Sequence, residues 1–463
     1  MRKADNVRTE GYSQERRVEL GNNARVRSAS PTISEGRNGV NECTRGLLED
    51  ILARENMNRA YKRVKSNKGS HGVDGMTVGE LLEHLKRHGE KIRQSILAGT
   101  YRPQAVKRVE IPKSDGGVRL LGIPTVLDRV IQQAIAQVLS PIYEKKFSEN
   151  SYGFRPNRSA HQAVKKSKEY IEAGYTWTVD IDLAKYFDTV NHDKLMRLLS
   201  GTIKDGRVLS LIRKYLRSGV MVGGVTMVAE VGTPQGGNLS PLLSNIMLNE
   251  LDEELERRGL KFCRYADDCN IYVRSRKAAD RVMASITKFI EQKLKLTVNK
   301  DKSTVGRPWN LKFLGFSFYY KKGGVGVRVH EKSVRKFKTK LKEITGRSNA
   351  MSMYQRMLKL KSAITGWVNY FGIADMTEHV QVLDKWLRRR LRMCFWKQWK
   401  RIKTKHDNLV RRGIERSKAW EYANTRKSYW RISNSPILAR AITNKDLEGL
   451  GLQSIARRYS LVH

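Results

Sequence analysis

At 463 residues the chain has room for about three domains and a sizeable core, which excludes a small disulfide scaffold or a short peptide. Its 89 Lys and Arg against 46 Asp and Glu give a formal net charge of +43, while 40% hydrophobic residues and plentiful Trp and Tyr mark a chain that folds. An excess of that size repels itself unless a polyanion neutralises it, which favours nucleic acid as the partner over a membrane or an acidic small substrate and leaves catalysis open.

Residues 1 to 45 are rich in Arg, Asn, Ser, Gly and Glu without a sustained apolar period, and read as a disordered basic leader with no signal peptide. From Leu47 onward, Leu47, Leu48, Ile51, Leu52, Met57, Ala60, Tyr61 and Val64 recur at helical intervals until Asn67-Lys68-Gly69 stops the run. Val106 to Pro112 reads as a basic strand, Ser114-Asp115-Gly116-Gly117 as a turn, and the run from Val118 as the other arm of a hairpin. Val130, Ile131, Ala134, Ile135, Val138, Leu139 and Ile142 then form one apolar helical face.

Thr176 to Asp182 alternates strictly, with Trp177, Val179 and Ile181 on one face and Thr178, Asp180 and Asp182 on the other. Two carboxylates about 6 to 7 Å apart on one strand face call for a compensating cation or basic partner, unless the strand is an edge whose polar face is wet. Further on, Phe262 to Tyr265 and Asn270 to Val273 read as two short strands joined by a tight turn that carries Asp267 and Asp268. Adjacent aspartates also serve as turn formers. Gathered beside Asp182, they supply three hard oxygen ligands of the kind magnesium takes, and a pair of such ions activates a 3′ hydroxyl and stabilises leaving pyrophosphate.

From Glu331 to the end, 31 Lys and Arg stand against 10 Asp and Glu, with aromatics interleaved as in Trp386-Leu387-Arg388-Arg389-Arg390 and Trp396-Lys397-Gln398-Trp399-Lys400. Cations for phosphates beside rings for stacking produce this pattern, and so does a helical bundle with an aromatic core and a solvated basic face. The four cysteines show no Cys-x-x-Cys pair, and no window approaches 18 consecutive apolar residues. The expectation is a reducing, soluble, cytoplasmic protein with neither a disulfide framework nor a zinc ribbon.

Four motifs occur in order: Asp182 followed five residues later by Phe187, Thr233-Pro234-Gln235-Gly236-Gly237-Asn238-Leu239-Ser240-Pro241, Tyr265-Ala266-Asp267-Asp268, and Phe313-Leu314-Gly315-Phe316. Together they resemble the reverse transcriptases encoded by bacterial group II introns. Ser151-Tyr152-Gly153-Phe154-Arg155-Pro156 is similar to a finger motif of that family, and Gly366-Trp367-Val368-Asn369-Tyr370-Phe371 to its maturase-specific region. The resemblance runs from about residue 46 to the C-terminus.

The resemblance implies an α/β right-hand polymerase with a helical thumb and a small basic C-terminal domain. Its parts are a leader over 1–45, an N-terminal extension with fingers and palm over 46–325, a thumb and maturase region over 326–403, and a DNA-binding segment over 404–463. It implies that Asp182, Asp267 and Asp268 hold two Mg2+ ions, with Asp180 the alternative to Asp182 because it shares the strand face. Phe187 is implied to sit beneath the incoming sugar and exclude a ribose 2′ hydroxyl. Its other reading is a core phenylalanine, with Tyr186 then the neighbour to suspect. Lys113 and Arg119 are implied to neutralise the triphosphate, and Gln235 to line the nucleotide pocket. Asn238 replaces a proline common in relatives, and Lys302 is a further candidate contact. Arg155, Arg388, Arg389, Arg390, Lys397 and Lys400 are the candidate nucleic-acid contacts.

The implied partners are intron RNA, an RNA template with a DNA primer or target, and deoxynucleoside triphosphates, in RNA-templated DNA synthesis, splicing and retrohoming. A chain ending at His463 without paired cysteines resembles the class C proteins, which lack an endonuclease domain. A non-enzymatic splicing cofactor is disfavoured by the joint presence of Asp182, Asp267, Asp268 and Phe187. A retron-like or domesticated enzyme is disfavoured by Gly366 to Phe371, and an RNA-copying RNA polymerase by Phe187.

Overall fold

The computed structural model describes residues 46–112, 117–222, 225–227, 232 and 236–463. The leader 1–45, Lys113, the turn residues 114–116 and Gln235 lie outside them. The described residues form two compact units that divide at Glu331.

In the first unit the apolar run from Leu47 is two helices, α1 (Leu47–Leu52) and α2 (Arg54–Ser66), separated by Ala53, whose extended backbone serves as the N-cap of the second. Helix α3 (Leu81–Leu97) leads to the antiparallel hairpin of β1 (Val106–Pro112) and β2 (Val118–Ile123). The Thr125 hydroxyl accepts from the Asp128 amide and starts α4 (Val126–Glu144), whose Val130, Ile131, Ala134, Ile135 and Leu139 are fully buried. Burying each of the larger ones is worth about 1.5 to 3 kcal/mol. Helix α5 (Ala160–Glu172) opens with a reciprocal Ser159–Gln162 capping box.

Strand β3 (Trp177–Ile181) follows, then α6 (His192–Thr202), α7 (Gly206–Arg217), and the short strands β4 (Val220–Val222) and β5 (Val225–Met227). Helix α8 (Ser240–Arg257) precedes the hairpin of β6 (Lys261–Tyr265) and β7 (Asp268–Val273), then α9 (Arg276–Phe289) and β8 (Thr304–Gly306). One sheet runs β2-β1-β4-β5 and the other β6-β7-β3-β8. Strand β3 is therefore interior, paired on both sides, and Thr178 is buried, so the wet-edge alternative for its carboxylates does not hold. A separate hairpin, β9 (Phe316–Lys321) with β10 (Gly324–Val329), closes the unit.

The second unit is helical: α10 (Glu331–Ile344), α11 (Met353–Phe371), α12 (Thr377–Gln398), α13 (Ile402–Arg411), α14 (Arg416–Ala423) and four shorter turns of helix up to Ser460. Trp367 stacks on Phe337 at 4.3 Å, and Trp396 and Trp399 are buried. These aromatics are core, which is the bundle reading of that segment. Among the described residues, no helix is long and apolar enough to cross a membrane, and Cys263, Cys269 and Cys394 are buried free thiols.

Candidate active site

Strand pairing assembles the carboxylates. Ile181 lies opposite Cys269 in the last pair of the antiparallel β3–β7 register, so Asp182 follows that pair on one strand and Asp268 precedes it on the other. Asp180, two residues back on the same face, lies opposite Asn270 on one side and Thr304 on the other. Asp182 is the first residue past the strand, and its backbone is clamped there. Its amide donates to Ser303 Oγ at 3.0 Å, and its carbonyl accepts from the Asn299 amide at 2.8 Å.

Burial pushes the Asp268 carboxyl up to about 7, helped by the negative charges of Asp180 and Asp267 and opposed by Lys312. Asp180 is likewise pushed up to about 7, by burial first and then by Asp182, again against Lys312. The buried Oδ1 of Asn270, beside Asp180, has no hydrogen-bond partner. Among the described residues, no group of three or more His, Cys, Asp or Glu side chains converges as a metal cage. The donor chemistry nevertheless fits a hard divalent cation: carboxylates close enough to repel one another, an unpaired amide oxygen, and no soft ligand among them.

The hairpin bearing Asp267 and Asp268 is held by a buried polar network that sequence reasoning missed. Arg264 on β6 is completely buried and uses all five guanidinium N–H donors. Nε and one terminal nitrogen fork onto Asp252 at 2.7 and 2.5 Å. The remaining donors reach Ser151 Oγ, Asn245 Oδ1 and the carbonyl of Ala266. Ala266, with φ of +58°, is the turn residue immediately before Asp267. Asn245 and Asp252 both come from α8, where they are spaced seven apart and buried among its Leu, Ile and Met residues.

The finger-like motif locks onto the same hairpin. Ser151 bridges Arg264 as a short parallel pair, and the Tyr152 amide donates to the Arg264 carbonyl at 2.8 Å. Gly153 approaches so closely that a Cβ there would lie 2.2 Å from the Ala266 nitrogen, which excludes every other residue type without backbone movement.

Of the two aromatic candidates for the sugar pocket, Tyr186 is buried and donates its hydroxyl to the Ser244 carbonyl, whereas Phe187 is only half-buried, edge-on to it at 5.1 Å. Arg119 lies on β2 opposite Ile111. Gly236 has φ of +130° and would set a Cβ 2.6 Å from the Gly122 carbonyl oxygen of β2, so Gly236 itself lies flush on that strand. Asn238, in place of the family's proline, donates to Gln133 Oε1 on α4 at 3.0 Å. Lys302 is exposed, its backbone amide donating to the Asn299 carbonyl.

Residues 111–318 match the reverse transcriptase (RNA-dependent DNA polymerase) family, and residues 334–413 match the group II intron maturase-specific domain. Protein YkfC of Escherichia coli (strain K12) is 36% identical over 299 residues, covering 56% of this chain and 78% of YkfC. This chain belongs to the group II intron reverse transcriptase and maturase family. The intron-encoded protein LtrA of Lactococcus lactis subsp. cremoris is 41% identical over 209 residues, 44% of this chain and 34% of LtrA. The putative COX1/OXI3 intron 2 protein of Saccharomyces cerevisiae is 34% identical over 252 residues, 52% of this chain and 28% of that protein. The match thus spans about a third of the length of those two intron proteins. Residues 111–318 carry the palm and fingers fold of this family, an RNA-directed DNA polymerase domain whose members generally use divalent metal ions.

The maturase match contains most of the candidate nucleic-acid contacts, and two candidates are corrected. Arg390 is buried and spends its guanidinium on Thr345 Oγ1 and the carbonyls of Lys342 and Thr345 at the C-terminal end of α10. In the polymerase domain, Arg155 is buried against Glu144 and the carbonyls of Ser148 and Ser151, with its guanidinium over Phe147. A guanidinium buried and largely engaged inside the fold is a structural contact before it is a phosphate contact. Arg389 stacks 3.8 Å over Trp430, and Arg388 stands 3.9 Å from Asp384. Lys397 and Lys400 are exposed. Within the maturase match, the Gly366 to Phe371 motif is a packing face of α11, with Trp367 on Phe337 and Asn369 accepting from Arg458.

Proposed function

We propose that this protein extends a DNA primer on an RNA template and that Asp182, Asp267 and Asp268 are its catalytic carboxylates. What supports the reading is the β3–β7 register, whose last pair is Ile181 with Cys269, so that Asp182 and Asp268 are the residues flanking that pair, with Asp267 in the adjoining turn, inside a reverse transcriptase domain. The carboxylates bind and orient the metal, for which the donor set favours Mg2+. Divalent ions held by Asp182, Asp267 and Asp268 would supply activation of the primer 3′ hydroxyl and charge stabilisation of the leaving pyrophosphate. Asp180, deeper on the same face, supports the ligand set. Lys113 and Arg119 neutralise the triphosphate, Gln235 lines the nucleotide pocket, and the half-buried ring of Phe187 excludes a 2′ hydroxyl.

In the same reading, 46–325 serves as extension, fingers and palm, and 326–403 as a helical thumb that also holds the intron RNA in its spliceable fold. Residues 404–463 bind target DNA, and the whole supports retrohoming by reverse transcription from a DNA 3′ end. Arg388, Arg389, Lys397 and Lys400 remain as phosphate contacts. The charge of +43 supports such a ribonucleoprotein. The test is extension of a DNA primer on an RNA template with Mg2+ and deoxynucleotides, beside Asp267→Ala. Loss of extension in the variant with RNA binding retained is expected. Synthesis surviving in Asp267→Ala overturns the assignment, and no synthesis by folded, RNA-binding wild type supports a splicing cofactor instead.

A further inference from the structure

Phe154 is an aromatic side chain that the fold holds in an unfavourable state next to the catalytic hairpin. It is 51% exposed, and its φ of +58° places it in the left-handed region that non-glycine residues avoid. Among the described residues its ring stacks on no other ring and meets no cation, and about half of it stays exposed. Both neighbours are fixed. Gly153 is wedged against the Ala266 backbone with its carbonyl accepting from Asn245 Nδ2 at 2.9 Å, and Arg155 is buried in its Glu144, Ser148 and Ser151 contacts. Phe154 thus follows the residue wedged against the turn that presents Asp267, with its side chain half-exposed and its backbone strained.

Strain and an exposed ring persist at one position when the surroundings over-determine them, and such positions cluster at ligand contacts. The ligand that must come to Asp267 is the paired end of template and primer, and an aromatic face is the general platform for a nucleobase. We propose that Phe154 stacks on a nucleobase at the primer–template end and so positions that end against the catalytic carboxylates. The proposal rests on the polymerase reading above.

The decisive variant is Phe154→Gly, which removes the ring while relieving the left-handed backbone, so the fold is retained and its melting temperature does not fall. Binding of a labelled RNA template–DNA primer by fluorescence anisotropy, and KM for that duplex, should both weaken roughly ten-fold, with KM for deoxynucleotide changing less. Phe154→Trp should restore both. Repeating the binding with an abasic residue at the template end or at the primer 3′ end identifies the strand: the wild type loses affinity in one arm, and Phe154→Gly is indifferent to the same change. Wild-type affinity and KM in Phe154→Gly, or abasic losses equal in wild type and variant in both arms, overturn the proposal. If wild type extends primers and Asp267→Ala does not, that failure belongs to the Phe154 contact alone. If wild type itself fails to extend, the polymerase reading falls first.

Discussion

Arg264 and Asp252 form an ion pair with neither side chain exposed, and the same guanidinium donates to the carbonyl of Ala266, directly before Asp267. A fork with every donor matched has no equivalent in lysine or methionine. Arg264→Met leaves Asp252 charged and unpaired, and is expected to cost about 3 to 5 kcal/mol in urea unfolding. Adding Asp252→Leu should recover much of that stability, because no buried charge is then orphaned. Extension should not recover with it, since the Ala266 carbonyl still lacks its donor and the turn is no longer held. Extension returning in step with stability in the double variant would show that the pair only holds the fold together.

The paired carboxylates predict a pH dependence with a definite sign. Asp180 and Asp268 both stand at about 7, above the 3.8 of an ordinary aspartate, so the folded protein binds their protons more tightly than the unfolded chain. Metal-free protein therefore has that contribution in full below about pH 4 and loses it as pH rises through about 7. A divalent cation bound to the ionised carboxylates opposes the loss. The melting temperature without divalent ions should decline over that window, and Mg2+ should raise it more at about pH 8 than at about pH 5.5. Equal Mg2+ shifts at the two pH values would contradict metal binding at this site.

Phe187 should act by bulk. Phe187→Ala is expected to raise ribonucleotide incorporation relative to deoxynucleotide by at least about ten-fold, the scale of discrimination lost when a steric block of this size is removed. Competition assays with mixed triphosphates measure it. Because Tyr186 is packed beneath Phe187 and bonded to Ser244, Tyr186→Phe should leave that preference as it is and lower stability only by about 1 kcal/mol. An unchanged preference in Phe187→Ala would place the gate elsewhere.

Two basic residues close in sequence should behave oppositely. Arg390→Ala removes the donors that satisfy α10's terminal carbonyls and should cost about 1 to 3 kcal/mol of stability, leaving the salt dependence of RNA binding unchanged. Lys400→Ala, at an exposed position, should leave stability alone and reduce the slope of log affinity against log salt by about one. The two titrations and two melting curves together separate a buried cation from a phosphate contact.

What the sequence carried on its own was local. Alternation from Thr176 to Asp182 named the strand and the shared face of Asp180 and Asp182, because side chains on a strand repeat every second residue. The Tyr265 to Asp268 turn and the β1–β2 hairpin were legible from strand-like runs on either side of turn-forming residues. Ordered motifs named the family, since motif order survives where individual residues are ambiguous. Only the tertiary structure decided what each polar residue spends its hydrogen bonds on. Arg155, Arg264 and Arg390 look alike in a basic sequence, yet each is buried among oxygens, those of Arg155 from the preceding segment and those of Arg264 and Arg390 partly from positions far along the chain, a satisfaction that only the folded chain shows. In the same way Gly153 and Phe154 are adjacent letters. Their wedge against Ala266 and the strained, exposed ring exist only because the finger-like segment and the catalytic hairpin fold against each other.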